Sequence, residues 1–418
     1  MPYNALMTLR NIHREKNLRG KRVLVRADHN VELEARGGLK DDRKLRITLP
    51  TIDFLLESGA KVILMTHIGR PKGNVIEELR VTTVAKHLQK LLKHCKGMHV
   101  ARETVGPSVQ AQLEKLKDSE ILYLENVRFQ PAEEKNDPAF IKALASLGEI
   151  YVNEAFPSIH TYEEASTCGV ARLLPAFAGF QLEHEIDALA GVTEDPRRPL
   201  LLIISGAKME TKIPVIRRFL TTADHILLGG CIANTFVAAR GFDVGASRYG
   251  QKEVEFAQEI MLESEKEGMA KVQVPWDVVV ASEAAETATK LDLPVEDVSG
   301  DMSIFDIGKV TIERYRKLIE QAGTIIWNGP VGYYELNRFS HGTKRIAEAL
   351  ATATKHGART IVGGGDTLDF HTRYEYPLDV YSFVSTGGGA MLEFLASEKP
   401  LPALVPLLAK SERQAVVV

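Results

Sequence analysis

The feature that most constrains the fold is a repeated alternation of short apolar runs with amphipathic segments. Runs such as VLVRA and KVILMTH alternate with stretches whose apolar residues are three and four apart, such as LPTIDFLLESG and VAKHLQKLLKHC. The alternation restarts after residue 198 with PLLLIISGA, HILLGG, WDVVVA, TIIWNGPVG, RTIVGGGDT and YSFVST. Repeated strand–helix–strand units predict parallel sheets covered by helices on both faces. We therefore predict an α/β protein with two doubly wound, Rossmann-like domains joined by a hinge helix.

The predicted domain bounds follow this restart. We place the first domain at residues 1–178 and the second at 199–398. The segment between them, 179–198, reads as a helix closed by a polar, proline-rich stop and is the predicted hinge. Residues 399–418 lie beyond the last strand–helix unit, and we expect this tail to pack on the first domain.

Composition narrows the function. The 52 lysines and arginines nearly balance 55 acidic residues, for a net charge of -3, which disfavours a nucleic-acid or membrane-surface role. No apolar run is long enough for a membrane span, and the first residues lack the apolar core of a signal peptide. The three cysteines are few and widely spaced, which is typical of a reduced compartment. We expect a cytoplasmic protein that binds small molecules.

Polar side chains stand at the ends of three strands in the first half. They are Arg26, Asp28, Asn30, His67, Arg70 and Arg128. Ligands of open parallel sheets bind outside the carboxyl ends of the strands. A single arginine there is more often a solvated charge, but repetition at three strand ends favours a site. The first domain is therefore predicted to bind a small, multiply charged anion.

Glycines and lysines in the second half predict a phosphate site. ISGAKMETK predicts a helix with Lys208 and Lys212 on one face near its positive end, although two exposed lysines would give the same pattern. The glycine triplets 363–365 and 387–389 each follow a strand and precede a helix, where amides can approach a polyanion. Asp366, next to the first triplet, is a candidate magnesium ligand.

A third strand of the second half, in IIWNGPVGYYE, ends in a tight turn. Its Asn328 and Glu335 are candidates to contact ribose or phosphate. The sequence has no GxxxxGK[ST], and no GxGxxG opens the first strand–helix unit. We infer a nucleoside-phosphate site of a non-Walker type. An anion site on one domain and a nucleotide site on the other predict phosphoryl transfer with domain closure.

The chain resembles the phosphoglycerate kinase family. The motifs that carry the resemblance run nearly end to end: GKRVLVRADHN, LPTIDFLLESGAKVILMTHIGRPKG, LENVRFQPAEEKND, SGAKMETK, WNGPVGYYE, IVGGGDT and STGGGA. The resemblance implies MgATP-dependent, reversible phosphoryl transfer between 3-phosphoglycerate and 1,3-bisphosphoglycerate, a step of glycolysis and gluconeogenesis. It also implies a monomer whose N-terminal domain binds 3-phosphoglycerate and whose C-terminal domain binds MgATP or MgADP.

The resemblance also implies roles for individual residues. On the acceptor side, Asp28 and Asn30 would hold the glycerate, and the phosphate and carboxylate would be held by Arg26, His67, Arg70 and Arg128. On the nucleotide side, Lys208 would accompany the transferred phosphoryl group and Lys212 the nucleotide phosphates. Amides of Gly364 and Gly365 would contact phosphate, Asp366 the metal, and Thr367 another phosphate oxygen. Gly308 and Glu335 would lie against the nucleoside, and Gly388 would lie near the transferring group.

Two departures from the family pattern lie in the acceptor half. Lys44, in DDRKLRITLP, stands where the family has an arginine that stabilises charge on the moving phosphoryl group, and lysine lacks the bidentate fork. In PSIHTYEEAST, Thr161 or Tyr162 stands where another substrate-binding arginine belongs, followed by Glu163 and Glu164. We expect these carboxylates to oppose binding of a trianion. His29 also replaces an apolar aromatic residue.

Three alternatives to a phosphoglycerate kinase remain open at this stage. One is a kinase that acts on another, less anionic carboxylate, and the second is a nucleotide-binding module that has lost catalysis. The third is a nicotinamide dehydrogenase, which the missing GxGxxG disfavours. Turnover with 3-phosphoglycerate separates the first two from a true phosphoglycerate kinase.

Overall fold

A computed structural model describes residues 8–34, 38–160 and 163–409, and the chain divides into two compact units. Of the described residues, those up to 187 and 397–409 form the first unit, and 188–396 form the second. The boundary at 187/188 falls inside the helix Phe180–Glu194, in the segment that we predicted as a hinge. That the first unit binds the acceptor and the second binds the nucleotide stays a prediction.

A six-stranded, fully parallel sheet forms the centre of the first unit. Its strands are β1 (Arg22–Arg26), β2 (Lys61–Met65), β3 (Gly97–Val100), β4 (Glu120–Tyr123), β5 (Ile150–Asn153) and β6 (Ala176–Ala178). They lie in the order β3-β4-β2-β1-β5-β6.

The second unit repeats this architecture. Its parallel strands are β7 (Leu200–Ile204), β8 (His225–Leu228), β9 (Lys271–Gln273), β13 (Thr324–Asn328), β14 (Arg359–Gly363) and β15 (Phe383–Val384). They lie in the order β15-β14-β13-β7-β8-β9. The prediction of two parallel-sheet α/β domains is confirmed.

A small antiparallel sheet in the second unit was not predicted. It consists of β10 (Asp277–Ala281), β11 (Leu291–Pro294) and β12 (Ser303–Ile307), with β10 in the middle. WDVVVA, which we assigned to the parallel sheet, forms β10, and the short β9 takes the edge of that sheet instead. The assignment was wrong because an apolar run does not reveal which strands will pair with it.

The helices of the described residues fill the connections between the strands. Those of the first unit are α1 (Arg43–Arg46), α2 (Leu49–Glu57), α3 (Thr82–Leu91), α4 (Pro107–Lys115), α5 (Pro131–Glu134), α6 (Pro138–Ala145) and α7 (Val170–Leu173). Then follow α8 (Phe180–Glu194), α9 (Ile213–Leu220), α10 (Gly230–Ala239), α11 (Val254–Ser264), α12 (Lys309–Gln321), α13 (His341–Lys355), α14 (Gly365–Arg373) and α15 (Gly388–Ala396). A π-helix, Ala165–Gly169, precedes α7.

The central strands are buried on both faces. Val23, Leu24 and Val25 of β1 are all 0% exposed, although successive side chains of a strand point to opposite faces. Val23 and Val25 pack in one core cluster with α2 and α3 residues such as Leu55 and Leu88. Burial on both faces leaves the strand ends as the places where polar groups can collect.

The described part of the C-terminal tail belongs to the first unit. The amide of Arg10 donates to the Leu407 carbonyl at 2.7 Å, and that of Ala409 donates to Thr8 at 3.0 Å. Leu404, like Leu407, is fully buried. Among the helices of the described ranges, none combines the length and apolar character that a membrane span requires.

We expect Glu154→Gln to make the stability of the protein less dependent on pH. Glu154 follows β5 and is 1% exposed, and burial raises the pKa of its carboxyl from 4.5 to about 8, although Thr51 and Gln181 donate hydrogen bonds to it. Its stabilising contribution is complete below the unfolded pKa and is lost as pH rises through the folded pKa. Thermal unfolding at about pH 5 and about pH 8 measures the difference.

Glu149→Gln is the control with the opposite sign. The hydrogen bond from Lys21 lowers the pKa of Glu149, so this group stabilises the protein above its ordinary pKa and loses that effect as pH falls. An unchanged pH profile in Glu154→Gln would contradict the assignment of a buried, proton-binding carboxyl.

Candidate functional site

Side chains from the ends of β1, β2 and β4 lie together in the first unit. β2 lies between β1 and β4, so the three carboxyl ends are neighbours. Arg26 Nη2 is 2.9 Å from His67 Nδ1, and the Gly69 amide donates to Asn30 Oδ1 at 2.9 Å. Arg128 Nη1 donates to the Gly69 carbonyl at 3.3 Å. We call Arg26, Asp28, Asn30, His67 and Arg128 the strand-end cluster.

Arg26 is the most buried member of this cluster. Its residue is 0% exposed, with Nε donating to Ser166 Oγ at 2.8 Å and Nη1 donating to the Ala27 carbonyl at 2.7 Å. Its Nη2 lies 3.7 Å from Glu164 Oε2. A buried guanidinium is costly unless it is paired and hydrogen-bonded, so the arginine depends on these neighbours.

Glu164 links Arg26 to Arg128. Its Oε1 accepts from Arg128 Nη2 at 2.7 Å, and the residue is 7% exposed. Glu163, by contrast, receives two hydrogen bonds from Arg172 at 2.8 and 2.9 Å on a more exposed part of the surface. The two glutamates therefore differ in their partners: Glu164 contacts Arg26 and Arg128 of the cluster, and Glu163 pairs with an arginine outside it.

Lys44 reaches the cluster from α1. Its Nζ lies 2.8 Å from Asp28 Oδ2. Burial alone would raise the pKa of Asp28, but the nearby Lys44 charge offsets this and helps to hold the pKa below its usual value. Asp28 is therefore an ionised hydrogen-bond acceptor. The contact with Asp28 places Lys44 beside the other predicted acceptor residues.

Two histidines, His67 in the cluster and His29 beside it, are neutral at physiological pH. Burial and the Arg26 charge push the pKa of His67 well below its ordinary value, so His67 Nδ1 accepts from Arg26. Burial lowers the pKa of His29 to about 4. The His29 ring lies 2.7 Å from the Tyr123 hydroxyl and 2.9 Å from Thr48 Oγ1, so it is a satisfied core residue.

Glu133 and Ser166 extend the cluster and were missed by the sequence analysis. Glu133 is 0% exposed and accepts from the Ser166 amide at 3.0 Å and from its hydroxyl. Burial raises the pKa of Glu133 to about 7, against the opposing effect of Arg26. Glu133 lies in LENVRFQPAEEKND and Ser166 lies in EEAST, but their sequence positions give no sign of burial.

Two predicted acceptor residues are not part of this network. Arg70 is exposed and forms no ion pair with any residue of the described ranges. Thr161 lies outside the described residues. Their predicted contacts with an acceptor stay predictions.

In the second unit, the two glycine triplets lie against each other. A Cβ at Gly388 would be 2.4 Å from Gly364 Cα, and Gly364 has a φ of +110°, which side chains rarely adopt. A Cβ at Gly365 would meet no atom within 4 Å. The helices α14 and α15 begin within the triplets, as predicted, at Gly365 and Gly388. Glycine therefore permits close backbone packing at Gly388 and leaves open space at Gly365.

The predicted helix through Lys208 and Lys212 is wrong. α9 begins at Ile213, after a loop in which Gly206 has a φ of +121°, so the two lysines do not share a helix face. Lys208 is exposed. Lys212 Nζ donates to Asn328 Oδ1 at 2.6 Å, and burial lowers the pKa of Lys212 to about 8.

A cavity of about 470 Å³ in the second unit collects several predicted nucleotide contacts. Glu335 and Asp366 line it. Gly308 is not among the described residues that line the cavity, although the adjacent Ile307 is. A Cβ at Gly308 would lie 2.3 Å from Asp277 Cγ. The glycine there is thus explained by packing, and its contact with a nucleoside stays a prediction.

Asn328 and Thr367 join the loops beside this cavity. Asn328 Nδ2 donates to the Gly363 carbonyl at 3.1 Å, and Thr367 Oγ1 accepts from the Gly329 amide at 2.9 Å. Thr367 is 0% exposed. These bonds hold the first glycine triplet against the end of β13, and a phosphate contact by Thr367 stays a prediction.

The donor set fits a magnesium ion that arrives with phosphates. Within the described residues, no three His, Cys, Asp or Glu side chains are grouped so as to hold a metal alone. Asp366 is exposed in the first turn of α14 and lines the cavity. Magnesium is commonly held by one or two carboxylates together with substrate phosphates, so a single carboxylate suffices here.

Comparisons with known proteins agree over nearly the whole chain. The family model described as phosphoglycerate kinase matches residues 13–398. A phosphoglycerate kinase of Moorella thermoacetica is 45% identical, covering 97% of this chain and 100% of its own length, and one of Chloroflexus aurantiacus is 43% identical, covering 94% and 98%. A solved phosphoglycerate kinase structure from Coxiella burnetii has a TM-score of 0.83 at 36% identity, covering 96% of this chain and 99% of that one.

We expect Gly388→Ala to destabilise the second unit by about 1–3 kcal/mol, the usual cost of overpacking. The added Cβ would collide with the Gly364 backbone, which is already in a restricted conformation. Gly365→Ala is the matched control, because its Cβ enters open space and should leave stability unchanged or slightly higher. Denaturant unfolding measures both. Equal loss of stability in the two variants would contradict the packing argument.

Proposed function

Because the chain belongs to the phosphoglycerate kinase family, we propose that it catalyses reversible phosphoryl transfer between MgATP and 3-phosphoglycerate. The products in the forward direction are ADP and 1,3-bisphosphoglycerate. The observation that carries the proposal is the family match over residues 13–398 with the strand-end cluster in place. The chain is accordingly a kinase and a transferase of glycolysis.

The acceptor binds at the strand-end cluster in this proposal. Arg26 and Arg128 hold its phosphate and carboxylate, together with His67 and the exposed Arg70. Asp28 and Asn30 accept from and position the glycerate. Lys44, at 2.8 Å from Asp28, supplies a positive charge for the moving phosphoryl group, which needs such charge in its transition state.

The nucleotide binds at the cavity of the second unit. Lys212 and Asn328 are joined by a 2.6 Å hydrogen bond and face the phosphates, while Glu335 lies against the nucleoside. Amides of Gly364, Gly365 and Gly388 receive the transferring group, because open space at Gly365 lets an anion approach the backbone. Lys208 is exposed and free to follow the phosphoryl group.

Magnesium, when bound with the nucleotide, neutralises phosphate charge. Asp366 is the residue that would hold it. A monomer, hinge-bending during the reaction and a cytoplasmic location belong to the same proposal and follow from the family.

A second candidate is a kinase for a less anionic carboxylate. The observation that favours it is the ion pair between Glu164 and Arg128, which removes positive charge from the acceptor site. Turnover of 3-phosphoglycerate decides between the two: rapid turnover supports the first proposal, and MgATP binding without turnover on this acceptor supports the second.

We expect ADP formation from MgATP and 3-phosphoglycerate, and a loss of about 10²–10³-fold in kcat in Lys208→Ala, the usual cost of removing one donor that stabilises transition-state charge. A coupled assay of ADP formation measures both. Lys355→Ala is the control, because Lys355 is an exposed residue at the end of α13. Equal rates in Lys208→Ala and Lys355→Ala would contradict the assignment of Lys208.

Lys44→Arg tests the lysine that departs from the family pattern. We expect it to preserve or raise kcat, because arginine keeps the charge and adds a bidentate fork, while Lys44→Ala should lower kcat. Steady-state kinetics at saturating MgATP measures both variants. If Lys44→Arg falls to the level of Lys44→Ala, the site requires lysine and the assignment of this position is wrong.

A further inference from the structure

The strand-end cluster already contains an anion of its own. The Glu164 carboxylate lies between Arg26 and Arg128, with its two oxygens 3.7 and 2.7 Å from their nitrogens. Both arginines are among the residues proposed to hold the acceptor. The carboxylate therefore occupies the position that an anionic group of the acceptor needs.

The Glu164 carboxylate is only partly satisfied where it lies. Its Oε2 is buried and accepts no hydrogen bond, while Oε1 accepts one from Arg128. A buried, ionised oxygen without a hydrogen bond is unfavourable. An incoming anion that satisfies both arginines removes this cost when it replaces the carboxylate.

The backbone of Glu164 is held independently of its side chain. Its carbonyl accepts from the amides of Thr167 and Cys168, at the start of the π-helix. Rotation of the side chain alone can therefore release the carboxylate. The buried Arg26 keeps its bonds to Ser166 and the Ala27 carbonyl when this happens.

We propose that Glu164 is a specificity-determining residue that competes with the acceptor for Arg26 and Arg128 and thereby sets the acceptor affinity. The proposal rests on the proposed function for the identity of the acceptor. Each binding event exchanges one carboxylate for an anionic group of the acceptor. Among acceptors that bind at these two arginines, weakly anionic ones are excluded more strongly than 3-phosphoglycerate, because they displace Glu164 less readily.

The test is Glu164→Gln, which keeps the shape of the side chain and removes its charge. We expect KM for 3-phosphoglycerate to fall about tenfold, the effect of one charge-assisted hydrogen bond, with KM for ATP unchanged. Glu163→Gln is the matched control: the adjacent carboxylate pairs with Arg172 and should leave both KM values unchanged. An unchanged or raised KM for 3-phosphoglycerate in Glu164→Gln would overturn the proposal.

Calorimetric binding of 3-phosphoglycerate without nucleotide separates this proposal from the proposed function. Tighter binding to Glu164→Gln than to the wild type supports competition by Glu164 even if the wild type shows no turnover. Turnover by the wild type with equal binding by both proteins supports the kinase and overturns the role of Glu164.

Glu164→Asp keeps the proposal testable if the glutamine variant does not fold. Aspartate keeps the charge but withdraws it by one methylene, so we expect a folded protein whose KM for 3-phosphoglycerate lies below that of the wild type. Thermal unfolding checks the fold of each variant. A folded Glu164→Asp protein with the wild-type KM would overturn the proposal.

Discussion

The burial of Arg26 is the constraint on which the first unit depends. A fully buried guanidinium at the end of a central strand must find a partner for each of its donors. Here the partners are the Ala27 carbonyl, Ser166, His67 and the Glu164 charge. Arg26 thus joins the ends of β1 and β2 to the π-helix, and Glu133, which holds Ser166, adds α5 to the same network. The proposed acceptor site is thus part of the fold.

The candidate site of the second unit depends more on backbone packing than on ion pairs. The loops that we propose to face the phosphates are joined by backbone contacts, such as Gly388 against Gly364, and by the buried Asn328, which bonds both Lys212 and Gly363. Glycines have no side chain, so their backbone amides can come close together. Closely spaced amides suit a ligand that carries its own negative charge and its own metal. The first unit therefore offers arginines held by ion pairs, and the second offers closely packed backbone with Lys208 and Lys212.

Local sequence patterns predicted the two parallel sheets and the strand-end positions, because period and strand length are encoded within a few residues. The local patterns gave wrong predictions where residues distant in the sequence determine the structure. WDVVVA formed an antiparallel strand because β11 and β12 pair with it, and the helix at Lys208 failed because the chain does not become helical until Ile213. The bond between Arg26 and Ser166 joins residues 140 positions apart, so no local pattern marks it. The position of Glu164 on two arginines was invisible for the same reason.

In the proposed site, an acceptor anion replaces the Glu164 carboxylate between Arg26 and Arg128. A crystal structure of the protein with bound 3-phosphoglycerate would show whether this exchange takes place. We expect an anionic group of the ligand within hydrogen-bonding distance of both arginines and a Glu164 side chain that has rotated away. A structure in which Glu164 keeps its 2.7 Å contact with Arg128 while 3-phosphoglycerate binds elsewhere would contradict this expectation.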